Sequence, residues 1–403
     1  MAKYNTDDRD LQAVNTVKND KHQQTATRIY CDLDTGEAVE GLVDSKFPWR
    51  QRKQRTLELA TLYRAAQLGG KADKVVSCST WLQYLATFDG NRQLHHYNAC
   101  KNRLCPVCNK RRAKQMATRL VKVLHKVQAD HDGTQLIFLT LTLENCTGDK
   151  LRATLDLLTT AWFKLIRRRS IVRAVRGWFR ALEITYNKGD DTYHPHIHAV
   201  LVVEDAYFAK RGKLYIKQAD WVRMWRESLQ VDYNPIVGIQ ATYGKSKGQR
   251  PGKMTGKAAA AAIEAAKYAT KDGDYLDSRL PKAKAAEVVA TYDAALHRKR
   301  LTAMGGWVKE AAAQLALDVE DDGDLVHDVD GAGELTSETA QLLEDYGWHF
   351  GVSDHVLLAR YANPEYNGGK QDGLQGDSRL EAGGALRQSD GDNQTDGTPG
   401  PEV

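Results

Sequence analysis

The sequence predicts an α+β fold, a central antiparallel sheet flanked by helices with a cysteine-rich module on its N-terminal side. Three observations lead there. Strand-like and helix-like patterns interleave through residues 133–280. Two of the strand patterns, Trp178–Tyr186 and His194–Val203, are separated by the turn-forming run Asn187-Lys188-Gly189-Asp190-Asp191, which marks a hairpin. Upstream of them, Cys100, Cys105 and Cys108 crowd into nine residues of a chain that has six cysteines.

Taken in order, residues 1–45 are polar and weakly patterned, and are predicted to be disordered. Pro48-Trp49-Arg50 opens a helix whose apolar face is Leu57, Leu59, Ala60, Leu62 and Tyr63, with Gly69-Gly70 as its stop. Residues 46–120 form one region, this helix and the cysteine-rich segment 75–118, which ends in the basic run Lys110-Arg111-Arg112-Ala113-Lys114. Gln135–Leu143 is β-branched and aromatic, a strand with Thr140 and Thr142 on one face. Leu151, Leu155, Leu158, Trp162 and Leu165 step by four and three, the pattern of an amphipathic helix. The hairpin follows, then a helix marked by Trp221, Trp225 and Leu229, a strand over Val237–Tyr243, a Gly- and Lys-rich loop over 244–256 and an alanine-rich helix from near Lys257. Residues 281–360 are expected to be a helical C-terminal region, and 361–403 a disordered acidic tail.

The formal charge of +5 conceals an asymmetry. Residues 316–403 hold 20 acidic and 4 basic groups, whereas residues 1–315 carry a net charge of +21. A body that basic favours a polyanionic partner, nucleic acid first. No apolar run reaches the length of a membrane span, and the first residues lack a signal peptide's apolar segment, so the expectation is a cytoplasmic protein with reduced thiols and no membrane partner.

The chemistry concentrates in two places. In His194-Pro195-His196-Ile197-His198 the strand alternation projects His196 and His198 from one face, where two imidazoles can grip one divalent metal. His194 shares that face, but Pro195 bends the chain beside it, which ranks it below the other two. Glu183, on the preceding strand of the hairpin, is within reach of the same metal. A carboxylate with imidazoles suits Mg²⁺ or Mn²⁺, though imidazole tolerates Zn²⁺. Downstream, spacings of four and three align Glu264, Tyr268 and Lys271 on one helix face. A metal to polarise a phosphate, a tyrosine to attack it and a carboxylate nearby make a phosphodiester-transfer site. Taken singly, Glu264 also reads as a surface carboxylate and Lys271 as a solvated charge.

With these residues in place, the chain resembles the HUH endonucleases, and within them the single-tyrosine initiators of small rolling-circle plasmids. Phe138-Leu139-Thr140-Leu141-Thr142 is similar to the first family motif, His194–His198 to the second and Lys267-Tyr268-Ala269-Thr270-Lys271 to the third. Pro48-Trp49-Arg50, Cys100–Cys108 and Arg298-Lys299-Arg300-Leu301 with Gly305-Gly306 extend the likeness over about 45 to 315. The resemblance implies an HUH-like sheet and a third metal ligand from the Glu183 strand. It also implies that Tyr268 nicks one strand at a plasmid origin, taking a 5′ phosphotyrosine and freeing a 3′ hydroxyl primer. The implied partners are origin DNA, single-stranded or extruded as a hairpin, and the host helicase and DNA polymerase. Glu264 stands where some relatives place a second tyrosine, and a carboxylate there can activate water, or a strand end, to resolve the adduct. Lys271 is placed to stabilise the phosphate or lower the tyrosine's pKa.

The spacing Cys100-x4-Cys105-x2-Cys108, with Cys78 as fourth ligand, suits a tetrahedral structural Zn²⁺. His95 and His96 are substitutes for the fourth place, and a plain cluster of reduced thiols is the alternative. Arg111, Arg112 and the run Arg167, Arg168, Arg169 are candidate phosphate contacts, a solvated helix end being the other reading of that run. Rival functions are an HUH transposase or conjugative relaxase, and a non-catalytic zinc-dependent DNA-binding regulator.

Overall fold

In the computed structural model, residues 11–14, 28–209, 213–241, 271–317, 325 and 335–367 are described. The histidine-bearing sheet has five strands, all antiparallel, in the order β10-β7-β8-β6-β9. They are β6 (Thr134–Thr142), β7 (Gly177–Asn187), β8 (Thr192–Glu204), β9 (Val237–Ala241) and β10 (Thr302–Gly306). The period of two divides their side chains cleanly between faces. Ile137, Leu139, Leu141, Leu182, Ile184, Ile197, Ala199 and Leu201 point into the larger core, against α4 (Leu151–Ile166), α6 (Gln218–Leu229) and α7 (Lys282–Leu296). Trp162, Trp221 and Trp225, the residues that marked two of those helices in the sequence, are fully buried there.

The opposite face is covered only in part. Leu136, Phe138, Phe179, Ala181, Val200 and Val202 pack against Met116, Leu120, Val123, Leu124 and Val127 of α3 (Pro106–Asp130) and Val308 of α8 (Trp307–Gln314). Continuing the Val202–Val200 series down β8 on the same face gives His198 and His196. The histidines thus share a face with an apolar core that covers the other end of their strand.

A second sheet has seven antiparallel strands in the order β1-β2-β3-β12-β11-β4-β5. These are β1 (Leu11–Val14), β2 (Arg28–Asp32), β3 (Ala38–Gly41), β4 (Trp81–Ala86), β5 (Arg92–Tyr97), β11 (Leu342–His349) and β12 (Asp354–Ala362). Its middle is a C-terminal hairpin inserted between N-terminal strands. Beside it lie α1 (Trp49–Ala65) and α2 (Gly69–Val76), and a short helix α5 (Arg169–Ala174) precedes β7. No helix among the described residues is long and apolar enough to cross a membrane.

The α+β expectation with an antiparallel sheet holds; the existence of two sheets was not anticipated. Several expectations are corrected. Residues 28–45 are not disordered throughout, since β2 and β3 lie within them. The partner of β3, β12, stands more than 300 residues away, so no local pattern announces that pairing. The region 281–360 is not uniformly helical: β10, β11 and β12 interrupt it, and β12 runs to Ala362. In β11 the buried face includes a carboxylate, Glu344, which blurs the alternation. Gly69-Gly70 begins α2 instead of stopping α1, which ends at Ala65. Residues 75–118 contain the β4–β5 hairpin as well as the start of α3.

Glu344 fastens the second sheet together. Its buried carboxylate accepts from Arg92 Nε on β5 (2.6 Å), Arg360 Nε on β12 (2.7 Å) and the Tyr346 hydroxyl (3.1 Å). Burial opposes its charge, yet these donors, Arg92 foremost, hold its carboxyl below the ordinary value. Glu344→Ala should cost about 2 kcal/mol, a buried-pair loss discounted for two half-exposed guanidinium groups. A depressed carboxylate stabilises fully above its unfolded pKa of about 4.3, and that contribution fades as pH falls toward the folded value. Thermal unfolding should therefore separate wild type from Glu344→Ala at pH 7, with the gap narrowing as pH falls below about 4.3.

Candidate metal centres

Register builds the first centre. In the β7–β8 ladder Glu183 stands directly opposite His196, and Ala181 opposite His198, so the carboxylate and both imidazoles meet on one face. Glu183 Oε2 lies 3.0 Å from His198 Nε2 and 3.6 Å from His196 Nε2, and the two Nε2 atoms are 3.1 Å apart. The neighbouring groups turn those nitrogens inward: the His194 carbonyl lies 3.2 Å from His196 Nδ1, and the Thr140 hydroxyl lies 3.2 Å from His198 Nδ1. Phe138 stacks beneath the His198 ring. Imidazole protons can link these three groups as they stand; with Nδ1–H of His196 donated to the His194 carbonyl, its Nε2 becomes a lone pair that could bind a cation together with Glu183 and His198. Adjacent ligands of an octahedral ion at about 2.1 Å lie about 3.0 Å apart, close to the spacing found.

Lys271, on the far side of Glu183, sets its Nζ 2.7 Å from Oε1. Burial works against the Glu183 charge, but hydrogen bonds from His196, His198 and Lys271 overcome it and hold the carboxyl far below the usual carboxylate range. His194 stays apart from the group: its Nδ1 is 2.8 Å from Asn145 Oδ1, and burial, with the nearby His196, lowers its pKa. His194, already ranked below the other two histidines as a ligand, is engaged with Asn145 and is not in the group that could hold a metal. Tyr268 and Glu264 lie outside the described residues, as does the loop before them.

The second centre joins Cys78, at the end of α2, to Cys100, Cys105 and Cys108 around the start of α3. The Sγ separations are 3.6 Å for Cys78–Cys108 and Cys78–Cys105 and 3.7 Å for Cys100–Cys108, and every thiol is free. Tetrahedral zinc with Zn–S of about 2.3 Å requires sulfurs about 3.8 Å apart, close to these three separations, and all four sulfurs lie within 4.8 Å of one another. His95 and His96 pack against one another on β5 and are not in the group. Sequence reasoning missed Lys53. This lysine is fully buried beneath the cluster and donates to the Val76 and Cys78 carbonyls at 2.5 Å each. Burial pushes its pKa down to about 8 against the pull of the cysteines. Nothing marks it out among the other basic residues of α1.

The basic candidates divide. Arg111 and Arg112 are buried, which corrects their assignment to DNA. Arg111 Nε donates to the Leu325 carbonyl (2.8 Å), far along the chain, and Arg112 Nη2 to the Lys101 carbonyl (2.6 Å) within the cysteine module, so both heads are spent on backbone. Arg167 and Arg169 are exposed, whereas Arg168 pairs with Glu227 at 2.5 Å. That run leads into Gly177, paired with Val202, six residues along β8 from His196. Val202 lies about 20 Å along β8 from His196, so the run enters the sheet at the end away from the histidines.

Together the fold and the two clusters define an α+β protein with two chemically different groups that could hold a metal ion, one of nitrogen and oxygen and one of sulfur. The family described as Replication protein matches residues 91–352. "Protein rep" of Streptococcus pneumoniae serotype 2 is 34% identical over 294 residues, covering 72% of this chain and 87% of that one. "Protein rep" of Bacillus amyloliquefaciens is 32% identical over 328 residues, covering 77% and 94%. No solved structure matches significantly. The chain belongs to this replication-protein family, and the plasmid replication initiator recognised in its motifs stands.

If the thiols hold zinc, purified protein should carry about one equivalent in the cysteine module, removed by chelation with a lowered melting temperature. Cys108→Ser should lose that metal while Cys146→Ser keeps it. Elemental analysis of both variants is the check, and metal-free wild type that melts normally would favour plain thiols.

Proposed function

We propose that this initiator nicks one DNA strand at a plasmid origin through Tyr268, on an HUH-type sheet, and later rejoins or releases that strand. The observation that carries the reading is the convergence of Glu183, His196 and His198, with Lys271 of the tyrosine motif bonded to that same Glu183. His196, His198 and Glu183 would hold Mg²⁺ or Mn²⁺. Such an ion supplies Lewis-acid polarisation of a phosphate oxygen.

Tyr268 then attacks the scissile phosphorus. An Oη–P bond forms, the P–O3′ bond breaks, and the proton given up by the tyrosine hydroxyl passes, through solvent, to the 3′ oxygen, which leaves as the hydroxyl that a host polymerase extends behind a host helicase. The strand's 5′ phosphate stays on the tyrosine, conserving the bond energy for rejoining. Lys271 offers positive charge beside the reacting phosphate. Glu264 takes the proton from the water or 3′ hydroxyl that later displaces Tyr268. Exposed Arg167 and Arg169 contact DNA phosphates at a distance from the cut. The cysteine module, loaded with zinc, holds α3 rigidly beside the sheet.

Incubation with single-stranded origin DNA and Mn²⁺, followed by mapping of the covalent adduct, tests this reading. Tyr268→Phe should fold and form no adduct; an adduct surviving at another tyrosine would move the assignment. Glu264→Gln should nick yet accumulate adduct, so its adduct lifetime in single turnover should exceed that of wild type. For the metal, His196→Ala or Glu183→Gln should lower cleavage more than about 100-fold while salt-sensitive DNA binding persists, because the phosphate contacts lie elsewhere. Undiminished cleavage by either would remove the metal from the mechanism.

A further inference from the structure

Immediately after Lys271 the chain makes a short turn, Asp272–Asp274, in which the Asp274 N–H donates to the Lys271 carbonyl (2.9 Å) and the Leu276 N–H to the Asp272 carbonyl (2.8 Å). Several elements hold this turn. Asp272 Oδ2 accepts from Arg52 Nη1 (2.9 Å) and Arg55 Nε (2.7 Å), one helical turn apart on α1. Arg55 also donates to the Leu276 carbonyl (3.4 Å). Asp274 accepts from the Tyr186 N–H of β7 (3.4 Å) and the Tyr292 hydroxyl of α7 (3.2 Å). Tyr275, fully buried, donates its hydroxyl to the Leu104 carbonyl (2.6 Å), next to Cys105.

Lys271 itself is more than half exposed. A long, solvated lysine keeps a fixed partner only if its backbone is fixed, since ordering a free one costs rotamer entropy. Asp272 is the adjacent residue, and its bonds to two arginines are charge-assisted and about three-quarters shielded from water. α1 is also the helix that carries Lys53 beneath the cysteine cluster.

We propose that Asp272, gripped by Arg52 and Arg55, is a positioning residue that holds Lys271 on Glu183 and thereby ties the nicking site to α1. The inference rests on the reading of the site given above, and adds to it a residue that no motif marks.

The test is a double-mutant cycle on cleavage of a single-stranded origin oligonucleotide with Mn²⁺, using wild type, Asp272→Asn, Lys271→Met and the double variant, with melting temperatures alongside. Asp272→Asn should lower kcat about 10-fold with KM changed less than about twofold, and Asp272→Glu should restore most of it. In the Lys271→Met background the same substitution should cost nothing further, because its effect passes through Lys271. Should Asp272→Asn fold poorly, Arg55→Gln removes one of the two bonds and enters the same cycle. An unchanged kcat, or losses that simply add, overturns the positioning role while leaving the nicking reading intact. A wild type that forms no adduct, or a Tyr268→Phe variant that still does, brings down the reading and the positioning role with it.

Discussion

The pairing of β7 with β8 is the constraint on which the site depends. Glu183 meets the histidines only because the ladder sets it opposite His196. A slip of one residue would turn the carboxylate to the other face, into the core that holds Ile184 and Leu182. That core prevents the slip, since moving the strand would expose the apolar set on both strands at once. The register that buries Ile197, Ala199 and Leu201 is the register that assembles the cluster.

The second sheet serves a different purpose, and it reaches the site through α1 and the start of α3. The cysteines sit inside its core with Leu82, Tyr84 and Tyr346. Buried arginines and a buried lysine cap backbone carbonyls there, so much of the module's positive charge is structural. The net charge of the body, which suggested nucleic acid, therefore overstates what is open to DNA. Arg167 and Arg169 remain exposed, Arg111 and Arg112 do not.

Much of the first sheet was legible because its elements are long and its patterns local. The β7–β8 hairpin is announced by Asn187–Asp191, α4 by leucines at steps of four and three, and Glu183 by its place on the strand before the histidines. The second sheet was illegible for the opposite reason. β3 is four residues long and finds its partner, β12, across most of the chain, and β11 buries Glu344 where alternation calls for an apolar side chain. Each of these strands is stable only once the others are present. Period-two reasoning has nothing to act on until the partner is known.

The sequence by itself determined the family, the histidine pair on one face, the grouping of three cysteines and the candidate tyrosine with its neighbours, because each rests on spacings of eight residues or fewer. Tertiary structure alone decided which groups join them. It brought Cys78 to the other thiols, drew His194 off to Asn145, laid Lys271 on Glu183, and buried Arg111 and Arg112. Whether a charged side chain faces water, a carbonyl or a carboxylate depends on what the rest of the chain packs against it. That neighbour can be 49 residues away, as for His194, or 214, as for Arg111, beyond anything local spacing can encode.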